Sequence, residues 1–269
     1  MDIKNKVSFC TTFAKRIYES DHQTVFNAVK ESYPECDFHV YHENSFEMEK
    51  YNQEIIFDDI WPGLCPHDVF DCYEGIHEFL ASSPFKDVHK LGTPGGHIGL
   101  GEKHEEYFNR QSIFWFRKVL AVRHAVEACK TPLLIFLDAD TAVDKPIDDT
   151  LINYLLDKDF ACLKRPPHAS EGVIDTGIMS FNLSEGRKGA DVGEAWYDYF
   201  ISGTAFQERI WADHYIMTSV VAKLERERPD ISIGGLDNLF GAPFNHIYDY
   251  FGHSKGPLHK DRDDGFEGV

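Results

Sequence analysis

The sequence predicts an α/β fold with a mostly parallel central sheet that is flanked by helices. Segment 6–13 is typical of a strand, 21–32 has a helical pattern, and 38–41 is a second short strand. This strand–helix–strand order favours parallel pairing, because the helix carries the chain back to the start of the next strand. A second helical pattern over 112–128 leads into 133–137, a continuous apolar run typical of a buried central strand.

The rest of the chain continues this alternation. The pattern predicts a helix, a strand, a strand pair or strand–turn and two further helices, over 151–156, 160–163, 173–182, 192–200 and 208–224. Two segments lack such a pattern: 44–109, interpreted as an irregular insertion, and 234–269, interpreted as a C-terminal closing loop. Since neither a repeat nor a linker is found, we expect one domain over 1–269.

The composition predicts a sizeable core and makes some partners unfavourable. Hydrophobic residues make up 42% of the 269 residues, and 27 Lys and Arg against 45 Asp and Glu give a net charge of −18. Such a charge repels a nucleic-acid backbone, whereas a divalent cation can offset it locally for a nucleotide. We expect a cytoplasmic protein, because the sequence has no membrane-spanning apolar run, no signal-peptide core and only scattered cysteines.

Two carboxylates follow the predicted central strand. Asp138 and Asp140 are separated by one residue, so an extended backbone would turn both side chains to the same face. Open α/β sheets bind ligands at the carboxyl ends of their strands. Two hard oxygen ligands at that edge are typical of a Mg²⁺ or Mn²⁺ site that holds a phosphate-bearing substrate. The alternative is a polar strand exit in which Asp140 caps a turn.

Four segments resemble the GT-A fold glycosyltransferases, in particular small phage-encoded enzymes and, more remotely, the glycogenin-like retaining enzymes. They are the D-x-D segment, a small-residue strand, a helix start and a C-terminal loop, at 136–141, 175–182, 213–218 and 253–260. The chain departs from the family at His214, where a Gln is expected, and at Thr218, where an Asn is expected. In the loop, which resembles H-x-x-G-x-x-K, His259 occupies the place of the Lys and Lys260 follows it.

The resemblance implies a Mn²⁺ or Mg²⁺ site and a diphosphate site. Asp138, Asp140 and His253 would hold the metal, with the imidazole as a neutral ligand. In the C-terminal loop, lysines would neutralise phosphate charge, and glycine would let the backbone approach the phosphates closely. The residues implied for the diphosphate are Lys255, Gly256 and Lys260.

Two further pairs of residues match the donor-binding part of the family. Arg117 and Lys118 lie on the predicted helix before the metal strand, where the family often has a basic residue that reaches the nucleotide or donor. Thr11 and Thr12 end the first strand, where the family holds its nucleoside with backbone and hydroxyl groups. The alternatives are a solvated helix face for the first pair and an ordinary strand exit for the second.

The resemblance also points to carboxylates at the reacting sugar. Asp213, near the start of a predicted helix whose dipole favours an anion, is the first candidate to position the acceptor or stabilise the oxocarbenium. Asp175 is the second candidate, and the alternative for Asp213 is that it only caps its helix. Around them, the residues expected to contact the substrate are Thr176, Gly177, Trp211 and His214.

Together these features predict a metal-dependent glycosyltransferase that moves a sugar from a nucleoside diphosphate donor, a UDP-sugar, to a hydroxyl group. The acceptor hydroxyl would belong to a glycan, a protein or a modified DNA base. The resemblance to retaining enzymes implies that the product anomer matches that of the donor. In an inverting enzyme, Asp213 would instead act as the general base.

Two other classes of protein compete with this interpretation. Haloacid-dehalogenase-like phosphatases also have D-x-D-x-T after an apolar strand, with the first Asp as nucleophile, and Asp138 to Thr141 fit that pattern. Their motif normally opens the fold, whereas here two predicted strands and roughly 130 residues precede it. The third class is a non-catalytic protein that binds sugar nucleotides or glycans, and the intact set of metal-type residues argues against it.

Overall fold

The computed structural model describes residues 2–12, 23–42, 60–85, 104–164, 174–237, 239 and 247–253. The strands of these residues, β1 to β9, are Val7–Thr12, Phe38–His42, Leu64–Asp68, Leu133–Leu137, Thr141–Val143, Phe160–Lys164, Ile174–Asn182, Ile233–Gly235 and Phe251–His253. The α-helices, α1 to α6, are Gln23–Ser32, Ile76–Ser82, His104–Ala128, Asp149–Asp157, Gly189–Ile201 and Asp213–Glu227. Short 3₁₀ turns occur at Ile3–Asn5, Thr204–Gln207 and Ile247–Asp249.

In the described residues, seven strands form the central sheet in the order β3-β2-β1-β4-β7-β6-β8. All neighbours pair in parallel except β7, which runs antiparallel to both β4 and β6. Helices α3, α5 and α6 contribute to the apolar core on one face of the sheet, and α1 and α4 to the core on the other. The predicted α/β class, with a mostly parallel central sheet flanked by helices, is therefore confirmed.

The two central strands, β1 and β4, end at an edge of the sheet that is suited to ligand binding. Every residue of β1 and β4 is buried, as the continuous apolar run of β4 predicts. From β1 the chain moves outward to β2 and β3, and then returns through α3 to β4 on the other side of β1. This reversal creates a topological switch point at the carboxyl ends of β1 and β4, where open α/β sheets bind their ligands.

Several predicted boundaries follow from local signals in the sequence. Helix α1 ends at Ser32, two residues before Pro34, and α3 ends at Ala128 as predicted. Helix α4 begins after Asp148, whose Oδ1 accepts a 2.9 Å hydrogen bond from Leu151 N. That bond satisfies one of the free N–H groups of the first turn.

Other segments differ from the sequence-based expectations. Strand β3 lies within the predicted irregular insertion 44–109; its Pro66 hides the strand signal, but β3 is at the edge of the sheet, where proline is tolerated. Segment 173–182 forms the single strand β7 rather than a strand pair or strand–turn. Helix α6 begins only at Asp213, and the C-terminal tail contributes the short strands β8 and β9. The remainder of the predicted closing loop lies largely outside the described residues.

Two findings concern the chemical environment of the chain. None of the described helices combines the length and apolarity that crossing a membrane requires.

All six cysteines fall within the described residues, and each is a free thiol. Burial raises the pKa of the Cys162 thiol to about 12, which keeps it protonated and unreactive at neutral pH.

Candidate active site

The candidate site lies at the carboxyl edge of β1 and β4. Cys10 pairs with Phe136 in the parallel register, so Thr12 and Asp138 stand at equivalent positions just beyond the paired residues. The hydroxyl groups of Thr11 and Thr12 are buried and have no hydrogen-bond partner among the described residues. Because buried hydroxyls are normally hydrogen-bonded, each of these hydroxyls has hydrogen-bonding capacity to offer, although as successive residues of β1 they point to opposite faces of the sheet.

Strand β7 starts at this same edge, because it runs antiparallel to β4. Asp138 N donates a 2.8 Å hydrogen bond to Gly177 O, and the preceding residues Asp175 and Thr176 are buried beside it. Asp175 Oδ1 accepts a 2.8 Å hydrogen bond from Gly177 N, which holds its carboxylate against its own strand. The fold thus brings the predicted metal ligand Asp138 next to the residues predicted to contact the sugar.

Lys118 on α3 connects Asp138 with Asp213. Its Nζ lies 2.8 Å from Asp138 Oδ1 and 2.7 Å from Asp213 Oδ2. The side chains of Lys118 and Asp213 are only 9% and 5% exposed, whereas that of Asp138 is 31% exposed. Arg117, the neighbouring residue on α3, is also buried. Neither basic residue therefore belongs to a solvated helix face, and Lys118 forms a buried ion-pair bridge that opens toward solvent at Asp138.

Asp213, in the first turn of α6, is surrounded by hydrogen-bond donors. Besides Lys118, its Oδ2 accepts a 2.7 Å hydrogen bond from Thr176 Oγ1. Its Oδ1 accepts a 2.8 Å hydrogen bond from His214 N and lies 3.1 Å from His214 Nδ1. The N-cap residue of α6 is Ala212, so Asp213 does not serve as the cap. Its position in the first turn nevertheless lets the helix dipole favour the carboxylate anion.

Burial and neighbouring charges act in opposite directions on the ionisation of this cluster. Burial disfavours the Lys118 cation, but the carboxylates of Asp138 and Asp213 outweigh this effect and raise its pKa. Burial likewise disfavours the Asp213 anion, yet Lys118 and the hydrogen bonding of His214 lower its pKa. At Asp138, burial together with the charge of Asp140 raises the pKa, although Lys118 opposes this. Lys118 and Asp213 therefore stay charged at neutral pH, and Asp138 is held less firmly as an anion.

The residues around Asp138 have the chemistry to hold a divalent cation. Asp140 is half-buried, and its charge raises the pKa of Asp138. The two residues lie in a turn closed by a 3.0 Å hydrogen bond from Thr141 N to Asp138 O, and not in the extended backbone that the sequence predicted. Strand β5 pairs with β9 so that Thr141 stands opposite His253, which brings the backbone of the third predicted ligand beside the D-x-D segment. The His253 side chain lies outside the described residues, and within those residues no three His, Cys, Asp or Glu side chains are arranged to hold a metal. The two aspartates nevertheless offer the hard oxygen donors that Mg²⁺ and Mn²⁺ prefer.

Four predicted residues remain. The structure places one of them, Trp211, near the site, and the other three lie outside the described part of the chain. Trp211 is half-buried two residues before Asp213; its Nε1 donates a 3.0 Å hydrogen bond to Glu208 O, and its ring meets Phe206 edge-on with centroids 5.2 Å apart. These contacts fix the indole at the start of α6. The residues outside the described part of the chain are Lys255, Gly256 and Lys260.

Thr218 is a supporting residue to which the sequence analysis assigned no role. Its Oγ1 donates a 2.7 Å hydrogen bond to His214 O and accepts a 2.9 Å hydrogen bond from Ile174 N. These bonds tie the first turn of α6 to the start of β7. The only sequence signal for this role is that Thr218 occupies the Asn position of the family motif, and that signal does not specify the β7 contact.

Comparisons with known proteins add a distant structural likeness. No protein-family model and no curated protein matches the chain. Among solved structures, the crystal structure of mouse xyloside xylosyltransferase 1 in its apo form is similar over 86% of this chain and 85% of that chain, at 12% sequence identity and a TM-score of 0.45. A likeness this distant carries no argument about activity, which is inferred below from the side chains of the site.

Proposed function

We propose that the chain is a metal-dependent glycosyltransferase of the GT-A type, which moves a sugar from a nucleoside diphosphate donor, a UDP-sugar, to a hydroxyl acceptor. The observation that carries this proposal is the Lys118 bridge between Asp138 and Asp213 at the switch-point edge. It links the carboxylate suited to a metal with the carboxylate suited to the reacting sugar, as one site for both ends of the donor would require.

Sugar transfer requires groups that stabilise the charges that develop on the donor. As the bond between the anomeric carbon and the phosphate oxygen breaks, negative charge grows on the diphosphate and positive charge on the sugar ring. Asp138, Asp140 and His253 would hold Mn²⁺ or Mg²⁺, and the metal would stabilise the leaving diphosphate as a Lewis acid. Lys118 adds a buried positive charge at the same edge, which stabilises the leaving group electrostatically.

The nucleoside end of the donor fits the neighbouring edge of β1. The buried hydroxyls of Thr11 and Thr12 offer hydrogen bonds to a nucleoside, one strand away from Asp138. Burial lowers the pKa of Arg117 to about 10, while the charges of Asp138 and Asp213 act to raise it. Arg117 thus remains a cation at neutral pH and adds to the positive potential near the diphosphate. In the undescribed loop, Lys255, Gly256 and Lys260 are proposed to close over the phosphates.

The sugar end of the donor fits the start of β7 and of α6. Thr176 and Gly177 border the ion-pair bridge, and Asp175 lies beside them as the second candidate carboxylate. Both oxygens of Asp213 accept hydrogen bonds, which favours an electrostatic role in stabilising the oxocarbenium-like sugar. Trp211 offers an aromatic surface near the acceptor side. The family resemblance supports retention of the anomeric configuration, which stays a prediction that proton NMR of the first product can test.

A thermal-shift panel with point variants tests this function. Nucleoside diphosphates and UDP-sugars, each with and without Mn²⁺, should raise the melting temperature in the presence of metal, because a ligand at 100 times its dissociation constant adds about 2.7 kcal/mol to stability. Asp140→Asn should abolish the metal-dependent shift and most sugar transfer while the protein stays folded. Asp157→Asn, an exposed aspartate with a 67% exposed side chain, is the matched control.

Two outcomes would contradict the proposal. If Asp140→Asn transferred sugar at the unaltered rate in the presence of a chelator, the metal role would be lost. If the protein hydrolysed an aryl phosphate but neither bound nor turned over any sugar nucleotide, the phosphatase alternative would replace the transferase.

A further inference from the structure

We infer that Lys118 limits metal binding at Asp138 until a diphosphate is present, because its ammonium group and a divalent cation compete for the same carboxylate. The inference rests on the proposed glycosyltransferase function and deepens it, since it couples the binding of the two ligands of that site. The diphosphate would accept the ammonium group and thereby free Asp138 for the metal.

The competition follows from the position of Lys118 Nζ. It lies 2.8 Å from Asp138 Oδ1, so it already contacts one of the oxygens that the proposed metal ligand offers. Mg²⁺ binds a carboxylate oxygen at about 2.1 Å, so a metal ion on the same oxygen would lie within about 5 Å of the ammonium group. At that distance two cations repel each other strongly, because the half-buried carboxylate is only partly hydrated. A metal ion on the other oxygen would still share a carboxylate whose charge Lys118 already offsets.

The contacts of Lys118 hold its ammonium group inside the protein. The side chain is only 9% exposed, and Nζ also lies 2.7 Å from Asp213 Oδ2. Nζ donates to Thr176 Oγ1 at 3.3 Å and to Thr176 O at 3.4 Å, and it lies 5.3 Å from the centre of the Phe136 ring. These contacts supply an acceptor for each proton of the ammonium group. A metal ion that approaches Asp138 therefore meets a cation that does not move aside into solvent.

A diphosphate would remove this conflict between the two cations. Of the two carboxylates that Lys118 contacts, Asp213 is 5% exposed and Asp138 is 31% exposed, so a ligand can reach the Asp138 side of the bridge. Phosphate oxygens accept hydrogen bonds from lysine and also bind Mg²⁺ and Mn²⁺. Lys118 would keep its contact with Asp213 and exchange Asp138 Oδ1 for a phosphate oxygen. Metal and diphosphate would then each raise the affinity of the site for the other, as binding linkage requires.

Two other roles of Lys118 predict different effects of removing its charge. If the ion-pair bridge only supported the structure, its loss would loosen the site and weaken the binding of metal and nucleotide alike. If Lys118 only contacted the donor, its loss would weaken nucleotide binding and leave the affinity for metal unchanged. Competition alone predicts opposite changes, because the positive charge that attracts a diphosphate repels a metal ion.

Two separate titrations of Lys118→Gln test the competition. Glutamine keeps a hydrogen-bond donor beside the aspartates but removes the charge. Without nucleotide, the variant should bind Mn²⁺ about tenfold more tightly than the wild type, as measured from the electron paramagnetic resonance signal of free Mn²⁺. Without metal and with a chelator present, it should bind UDP about tenfold more weakly, as measured by isothermal titration calorimetry. Lys6→Gln, which replaces a lysine with a 41% exposed side chain, is the matched control and should leave both affinities unchanged.

The outcomes separate this inference from the proposed function. If the wild type turns over a sugar nucleotide but Lys118→Gln binds Mn²⁺ no more tightly than the wild type, the inference is overturned and the function stands. If the wild type binds neither Mn²⁺ nor UDP and turns over no sugar nucleotide, both fail. Proton–nitrogen spectra of the lysine ammonium groups give a readout on the wild type that does not depend on how a variant folds. UDP with Mg²⁺ should shift the Lys118 signal, and an unchanged signal at saturation would overturn the inference.

Discussion

Helix α3 contributes one residue to each of two polar clusters, and burial affects the charge of these clusters in opposite ways. The charged cluster consists of Lys118, Asp138 and Asp213, which lie at the carboxyl edge of β1 and β4. The histidine cluster lies against β2 and β3 and consists of His39, Tyr41, His67 and His124. Both clusters include a residue of the same helix, but Lys118 and Asp213 are almost fully buried, whereas His67 and His124 are half-buried.

Opposite charges compensate for burial in the charged cluster. Lys118 Nζ lies within 2.8 Å of an oxygen of each aspartate, so the almost fully buried charges of Lys118 and Asp213 each have a partner. The pKa of Lys118 is raised and that of Asp213 is lowered, which means that their interaction outweighs the loss of hydration. The cluster therefore presents fixed charges at the sheet edge, as electrostatic stabilisation of a leaving group requires.

The histidine cluster avoids charge instead. His39 Nδ1 lies 3.2 Å from His67 Nε2, Tyr41 Oη lies 2.7 Å from His124 Nδ1, and the rings of His67 and His124 are 4.9 Å apart. Burial, followed by the repulsion of the neighbouring imidazoles, lowers the pKa of His67 to about 4. Burial also lowers the pKa values of His39 and His124. The three rings thus pack as neutral aromatic groups at neutral pH.

The two clusters differ in the charge that they keep at neutral pH. Three imidazoles together resemble a functional site by residue type, yet their neutral packing gives no charge with which to stabilise a reaction. One lysine between two aspartates is less conspicuous in the sequence, but this cluster retains its charges at the edge where open α/β sheets generally bind ligands. A search by residue type alone would give the two clusters equal weight.

The largest expected effect comes from removing the central cation of the charged cluster. Lys118→Met should lower the free energy of unfolding by about 3 kcal/mol, because it leaves two carboxylates without their buried partner. Equilibrium denaturation in urea at pH 7 measures this change. Lys6→Met is the matched control; its pair with Asp149 at 3.6 Å is exposed at 41% and 64% and should contribute less than about 1 kcal/mol.

Equal stabilities of the Lys118 and Lys6 variants would mean that the charged cluster is no more tightly coupled than a surface pair. A stability deficit of Lys118→Met that disappears at acid pH, where the carboxylates are neutral, would support the proposed repulsion between them.

The second effect is acid sensitivity of the histidine cluster. The folded pKa of His67, about 4, lies below the ordinary value of about 6.5, so the unfolded chain binds more protons between these values. The stabilising contribution of neutral His67 is thus present above pH 6.5 and is lost as the pH falls toward 4. For this half-buried ring we expect a loss of about 1–2 kcal/mol by pH 5, measured by urea denaturation across pH 5–8.

His67→Gln should flatten this pH dependence, whereas the control His77→Gln should leave its slope unchanged because His77 is exposed. An unchanged slope in His67→Gln would show that other groups cause the acid sensitivity.

The sequence predicted the central strands of the sheet better than its edge strands and the contacts between helices. The apolar run before Asp138 identified β4. The D-x-D spacing and the family resemblance identified several of the residues that lie together at the candidate site. Each of these signals is contained in a short segment of the sequence. Strand β3 was missed, since Pro66 is unfavourable in a strand unless the strand lies at an edge. The bridge from Lys118 to Asp213 was also beyond reach, because it depends on how α3 and α6 pack and not on spacing within either segment.

The smallest expected effect comes from removing one hydroxyl group that holds a residue of either cluster in place. Thr218→Val removes the hydroxyl that joins His214 O to Ile174 N, and Tyr41→Phe removes the hydroxyl that contacts His124. Each should lower the free energy of unfolding by about 1 kcal/mol, the usual contribution of a buried hydrogen bond, as measured by urea denaturation. Only Thr218→Val should also lower kcat for sugar transfer, because only that hydroxyl fixes the turn that carries Asp213 and His214. Thr218→Ser keeps the hydroxyl and should restore the rate. Equal losses of kcat in Thr218→Val and Tyr41→Phe would mean that activity follows general stability and that the two clusters do not differ in function.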